Sequence, residues 1–172
     1  MKSITFLDEE YNVLNKIASK TGMDCWFYIC VNDEGDDVIL DLENNDEVMH
    51  IEEAIQMLLE GIDNTDILYS CDLSKDELVT LCNLLSAIDL HVPKLIKDEL
   101  THLDFSQALR LIKGRYAVSR KGWNDGYPSK KELLFMKYFD KKTYICQIMK
   151  ITKEQFVDLS SEDILASDWY LV

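Results

Sequence analysis

Residues 104–124 read Asp104-Phe105-Ser106-Gln107-Ala108-Leu109-Arg110-Leu111-Ile112-Lys113-Gly114-Arg115-Tyr116-Ala117-Val118-Ser119-Arg120-Lys121-Gly122-Trp123-Asn124. Asp104 is an N-cap, and Gln107 three residues on completes a capping box. Phe105, Ala108, Leu109 and Leu111-Ile112 repeat at helical spacing and supply a buried stripe. Gly114 closes the helix, and Tyr116–Ser119 then reads as a strand. The loop Arg120-Lys121-Gly122-Trp123-Asn124 follows. It carries two cations, a glycine, a large aromatic face and an amide. Such parts hold a flat, anionic, nucleotide-like ligand: the aromatic stacks on a base, the cations meet phosphates, and the glycine admits close backbone N–H groups. The same residues also describe an ordinary Trp packed at a wet rim, and the pattern alone does not separate the two.

Beyond the loop, Leu133–Phe139 and Thr143–Met149 read as two strands joined at Asp140-Lys141-Lys142. Ser160-Ser161-Glu162-Asp163 is a further capping box, opening a helix through Ala166. Asp168-Trp169-Tyr170-Leu171-Val172 reads as a last strand. The order α-β-β-β-α-β describes a small α+β domain with an antiparallel sheet over residues 104–172. The helix start at Ser160–Asp163 is a second place for an anion, with an ordinary cap as the competing reading. Asp163 either caps the helix or accepts hydrogen bonds from a base edge or ribose. Trp169 divides the same way between ligand and buried strand.

Upstream, Asp8–Lys20 reads as a helix capped by Asp8, with Tyr11, Leu14, Ile17 and Ala18 facing inward and Thr21-Gly22 as its stop. Cys25–Val31 and Asp37–Leu42 are expected as a strand pair around the acidic turn Asn32–Asp36. A helix over Ile51–Leu59 stops at Gly61, and Ile67–Cys71 suggests a short strand. Ser74-Lys75-Asp76-Glu77 caps a helix through Leu85. Pro93 breaks the pattern, leaving Lys94–Leu100 as a short connecting helix. The expected architecture is therefore α+β: an acidic N-terminal α/β-hairpin unit over residues 1–90, a connector over 91–103, and the second domain over 104–172.

The net charge of −14 is split along the chain. Residues 1–100 hold 6 Lys/Arg against 23 Asp/Glu, while residues 101–172 hold 12 against 9. The first part repels nucleic-acid polymers and anionic membranes, and the second suits a small anion. An apolar fraction of 47% supports a packed core. No apolar run has membrane-spanning length, and Met1-Lys2-Ser3-Ile4 runs straight into acids without a signal-peptide pattern. A cytoplasmic location is expected. Five cysteines lack C-x-x-C spacing, so neither a disulfide framework nor a zinc site is expected, and most read as core residues. His50, His91 and His102 are scattered, and the acids around Asp33–Asp37 lack calcium-loop spacing. No P-loop, G-x-S-x-G or dinucleotide glycine pattern occurs, so binding without turnover, with no cofactor or metal, is the simpler expectation.

Residues Asp104–Val172 resemble the Thoeris anti-defence 2 family, a short phage and prophage domain. Three ordered pieces carry the resemblance: Asp104-Phe105-Ser106-Gln107-Ala108-Leu109, Val118-Ser119-Arg120-Lys121-Gly122-Trp123-Asn124, and Ser161-Glu162-Asp163-Ile164-Leu165-Ala166-Ser167-Asp168-Trp169. The resemblance implies a sponge that binds a cyclic ADP-ribose isomer made by Toll/interleukin-receptor-type enzymes, without cleaving it. Some members of the family also hold cyclic dinucleotides. It also implies a homo-oligomer, dimer or tetramer, with pockets near subunit interfaces. The expected ligand set is Arg120, Lys121, Trp123, Asn124, Phe105, Ser161 and Asp163. The chain departs from the family in lacking a Pro-Trp pair before the last helix, where Gln155-Phe156-Val157-Asp158 stands instead, and in its acidic domain in front. The competing expectation is an interaction module whose acidic domain inhibits a host partner.

Overall fold

The computed structural model describes residues 8–22, 29–31, 37–40, 47–62, 64–124, 133–139, 142–148, 154–156 and 159–172. Helix α1 runs over Asp8–Thr21. Asp8 is its first residue rather than its cap, and with Glu9 and Glu10 it places acids where the helix dipole favours them. Val13, Leu14, Ile17 and Ala18 are buried, whereas Tyr11, expected inside, is exposed. Gly22 stops the chain in the left-handed conformation, φ 78°.

Strands β1 (Ile29–Val31), β2 (Asp37–Leu40) and β3 (Glu47–His50) form an antiparallel sheet in that order. The expected turn Asn32–Asp36 and residues 25–28 of the first expected strand lie outside the described residues. Sequence reading had no third strand here, since Glu47-Val48-Met49-His50 runs straight into the next helix without a turn signal.

Helix α2 (Ile51–Ile62) passes through Gly61 instead of stopping there. A Cβ on Gly61 would lie 2.7 Å from the Thr21 methyl, so this glycine lets the end of α1 approach. The expected strand Ile67–Cys71 is instead helix α3 (Thr65–Ser70). Asn64 decides that outcome, because its side chain accepts from the Asp66 N–H and caps the turn. Helix α4 (Lys75–Ala87) carries the expected Ser74–Glu77 capping box. Pro93 then precedes α5 (Lys94–Glu99).

Helix α6 (Phe105–Lys113) has the expected reciprocal Asp104–Gln107 box. Its C-cap Gly114 is not left-handed; the glycine is needed because a Cβ there would collide with the Asn83 amide. Arg115, at φ 71°, takes the left-handed position instead. The second sheet holds β4 (Val118–Arg120), β5 (Leu133–Phe139), β6 (Lys142–Ile148), β7 (Glu154–Phe156) and β8 (Trp169–Leu171), in the order β7-β6-β5-β4-β8, all antiparallel. Two short helices interrupt it, α7 (Lys121–Asn124) and α8 (Ser161–Leu165). Strand β7 has no counterpart in the sequence reading. The outer edge of β8 is covered: Leu103 exchanges backbone bonds with Trp169, and the Leu171 N–H donates to Leu100 O at 3.1 Å.

One buried cluster joins the described helices and the second sheet. It includes Leu14 and Ile17 of α1, Ile55 and Leu58 of α2, Leu81 and Leu85 of α4, Leu111 and Ile112 of α6, Val118, Leu134 and Trp169. Cys71 and Cys82 are buried in it as unbridged thiols. The α+β class holds.

Candidate functional site

Strand β4 ends on Arg120, and the chain turns at once into α7. The expected loop Arg120–Asn124 is thus a strand end followed by one helical turn. The turn is anchored by the Lys121 N–H, which donates to Asp168 O at 3.2 Å. Antiparallel pairing sets Arg120 opposite Trp169. The cap of α8 then brings Asp163 to the same place.

Trp169 is the floor, fully buried. Phe105, on the first turn of α6, packs on it with ring centroids 5.6 Å apart, and Trp123 meets it edge-on at 5.1 Å. The Arg120 guanidinium lies 5.9 Å from the Trp169 ring centroid. Above this aromatic group, Arg120 Nη1 donates to Asp163 Oδ1 at 2.6 Å and Nε to Asp168 Oδ1 at 2.8 Å. The Trp123 indole N–H donates to Asp163 Oδ1 at 3.0 Å, and the Trp169 indole N–H to Asp163 O at 3.2 Å. The Ser160 N–H and hydroxyl both donate to Asp163 Oδ2, at 2.9 and 2.7 Å.

These contacts set the charge states. Burial pushes the Asp163 carboxyl pKa up, but hydrogen bonds from Ser160, Arg120 and Trp123 outweigh it and bring the value down to about 2. For Arg120, burial works against the charge, and the bonds to Asp168 and Asp163 more than restore it. The guanidinium is committed to two carboxylates, each worth more here than on an open surface because the Arg120 side chain is only 12% exposed.

Of the expected ligand residues, Arg120, Trp123, Phe105 and Asp163 therefore converge on Trp169. Lys121 is exposed on α7. Ser161, also exposed, begins α8, whose five residues and occupied capping box leave a weak dipole for an anion. The Asn124 and Phe156 side chains lie outside the described residues. Sequence reading gave Asp168 no role beyond opening the last strand; its adjacency to Trp169, opposite an Arg-bearing strand, was the available signal. Among the described residues no three His, Cys, Asp or Glu side chains gather as metal ligands, and no helix is long and apolar enough to cross a membrane.

No curated protein matches the chain. The stretch that does match a known family begins where Leu103 bridges Trp169, ends with β8, and holds every residue of the aromatic and carboxylate cluster. The C-terminal part of the chain, residues 103–172, matches the family of the Thoeris anti-defense 2-like domain.

Proposed function

We propose that the protein counters Thoeris defence as a sponge, capturing a cyclic ADP-ribose isomer and holding it uncleaved. The family match supports the anti-Thoeris role. The observation that carries the finer reading is the meeting of Phe105, Arg120 and Trp123 over Trp169, with Lys121 exposed on the same turn as Trp123. In this reading Trp123 offers a face to the base and Lys121 meets phosphate. The reading also counts Asn124 and Ser161 as ligand residues, and takes residues 104–172 as the ligand-binding domain behind an acidic unit over 1–90 and a connector over 91–103. A sponge has no turnover to multiply its effect, so it needs tight binding. A nanomolar constant corresponds to about −12 kcal/mol, and one stacked base supplies only about 1–3 kcal/mol. Charge-assisted contacts and a water-excluding cleft between subunits of a dimer or tetramer make up the difference.

The test is calorimetric titration of the purified protein with the cyclic ADP-ribose isomer, followed by heat denaturation and analysis of the released ligand. Tight binding with intact ligand is the expected result. Recovery of a hydrolysed product would make the protein an enzyme, and absence of binding would turn the search to cyclic dinucleotides. A second reading, an acidic surface that inhibits a basic host partner, is favoured by the exposed Asp8, Glu9, Glu53, Glu60, Asp66, Asp72 and Asp76. It predicts partner binding that weakens steeply with salt.

A further inference from the structure

We infer that Asp163 is a positioning residue, one that fixes the Trp123 ring and the Arg120 fork for the ligand without touching the ligand itself. The inference rests on the sponge reading of this site. A carboxylate has about four lone-pair positions, and four donors already meet this one. Arg120 Nη1 and Trp123 Nε1 share Oδ1, while the Ser160 N–H and hydroxyl share Oδ2. A base edge or ribose hydroxyl would find no acceptor position open. The backbone carbonyl of the same residue is also engaged, by the Trp169 indole N–H.

One residue of α8 thereby fixes both indoles of the aromatic group and one arm of the guanidinium. Trp123 is half-buried and edge-on to Trp169, so rotation of its ring about the side-chain bonds is restrained at two points, the N–H bond and the edge contact. Stacking depends on the plane and offset of the ring. A ligand that reads the Trp123 face is therefore selected through a carboxylate it does not meet. Arg120 keeps Asp168 when the Asp163 side chain is removed, whereas the Trp123 N–H loses its acceptor, so the loss falls on Trp123.

The test uses the full-length protein labelled with 5-fluorotryptophan and titrated with the cyclic ADP-ribose isomer. The variants are Asp163→Ala, Trp123→Phe, their combination, and Ser160→Ala. Asp163→Ala, which leaves the Trp123 N–H without its acceptor, is expected to weaken binding about tenfold or more and to move the Trp123 fluorine resonance. On the Trp123→Phe background, which keeps a ring but has no N–H, the same substitution is expected to add little. Ser160→Ala removes the cap while leaving the Asp163–Trp123 bond. It is expected to lower Tm with less than a threefold change in affinity, which separates positioning from helix stability. Wild-type affinity in Asp163→Ala, or fully additive losses in the double variant, would overturn the inference while leaving the sponge intact. Absence of binding by the wild-type protein would overturn the sponge reading and this inference with it.

Discussion

At the residue scale, Asp163 links the chemistry of the site to the stability of the domain. Its carboxyl titrates near 3.9 in an unfolded chain and is brought down to about 2 in the fold. A depressed carboxylate adds stability that is complete above about pH 4 and disappears as pH falls toward 2. Asp163→Asn removes this contribution, so its Tm is expected to fall less between pH 5 and pH 3 than that of the wild type, measured by circular dichroism melts. An equal fall in both would mean that other carboxylates govern acid unfolding. Sequence reading left Asp163 between cap and ligand. The cap was visible because Ser160 and Asp163 are three apart, but the hold on Trp123 was not: that bond spans 40 residues, and no local spacing encodes it. Trp123→Ala is the simplest way to remove the stacking face. The structure makes Trp123 a packed member of the Trp169 cluster, so alanine would cost stability as well as ligand, and phenylalanine is the cleaner choice.

At the element scale, the helices that announce themselves are those with reciprocal caps. Ser74–Glu77, Asp104–Gln107 and Ser160–Asp163 each form the box their spacing suggests. Strand β5 was legible to the residue because Leu133–Phe139 is a bounded apolar run. The short pieces were not. A single turn such as α7 has no period to read, and its helical form follows from where β4 and Asp168 leave the chain. Helix α4 runs two residues past the expected Leu85, while α6 does close at Gly114 as expected, and the two ends share a feature that spacing does not show. Both α4 and α6 finish with a non-glycine residue in the left-handed conformation, Asp89 at φ 58° and Arg115 at φ 71°. In each case the next N–H reaches back five residues, Leu90 to Leu85 O at 2.8 Å and Tyr116 to Leu111 O at 3.0 Å. Left-handed backbone costs an ordinary residue about 1–2 kcal/mol, and the extra freedom of glycine in the unfolded chain costs about 0.5–1 kcal/mol. Arg115→Gly is therefore expected to raise stability by about 0.5–1 kcal/mol, read as a higher urea midpoint at unchanged slope. A lower midpoint would show that the Arg115 side chain matters more than its backbone.

At the scale of the whole molecule, the charge division along the chain is not a division of the core. Arg110 of α6 bonds to Asp76 and Thr80 of α4 at 3.0 and 2.7 Å, and the Tyr116 hydroxyl donates to Cys82 O at 2.7 Å. Burial raises the Cys82 thiol pKa to about 12, so it packs as an apolar side chain and not as a nucleophile. Elements from both parts of the sequence thus complete each other's burial. Scanning calorimetry is expected to give one transition with equal calorimetric and van't Hoff enthalpies. Two separated transitions would mean that the acidic part melts on its own. Composition could not foresee this, because charge is counted on the surface and the core is shared beneath it. The backbone bonds from Leu100 and Leu103 to β8 have a practical consequence for anyone dissecting the protein. A fragment trimmed to residue 104 would carry a raw seam, and seams of that kind zip onto one another. Its aggregation would look like failure to bind, and a cut made ahead of Pro93 would keep the chain's own selvedge yet bare the α6 face that α4 covers, so binding is best read on the whole chain.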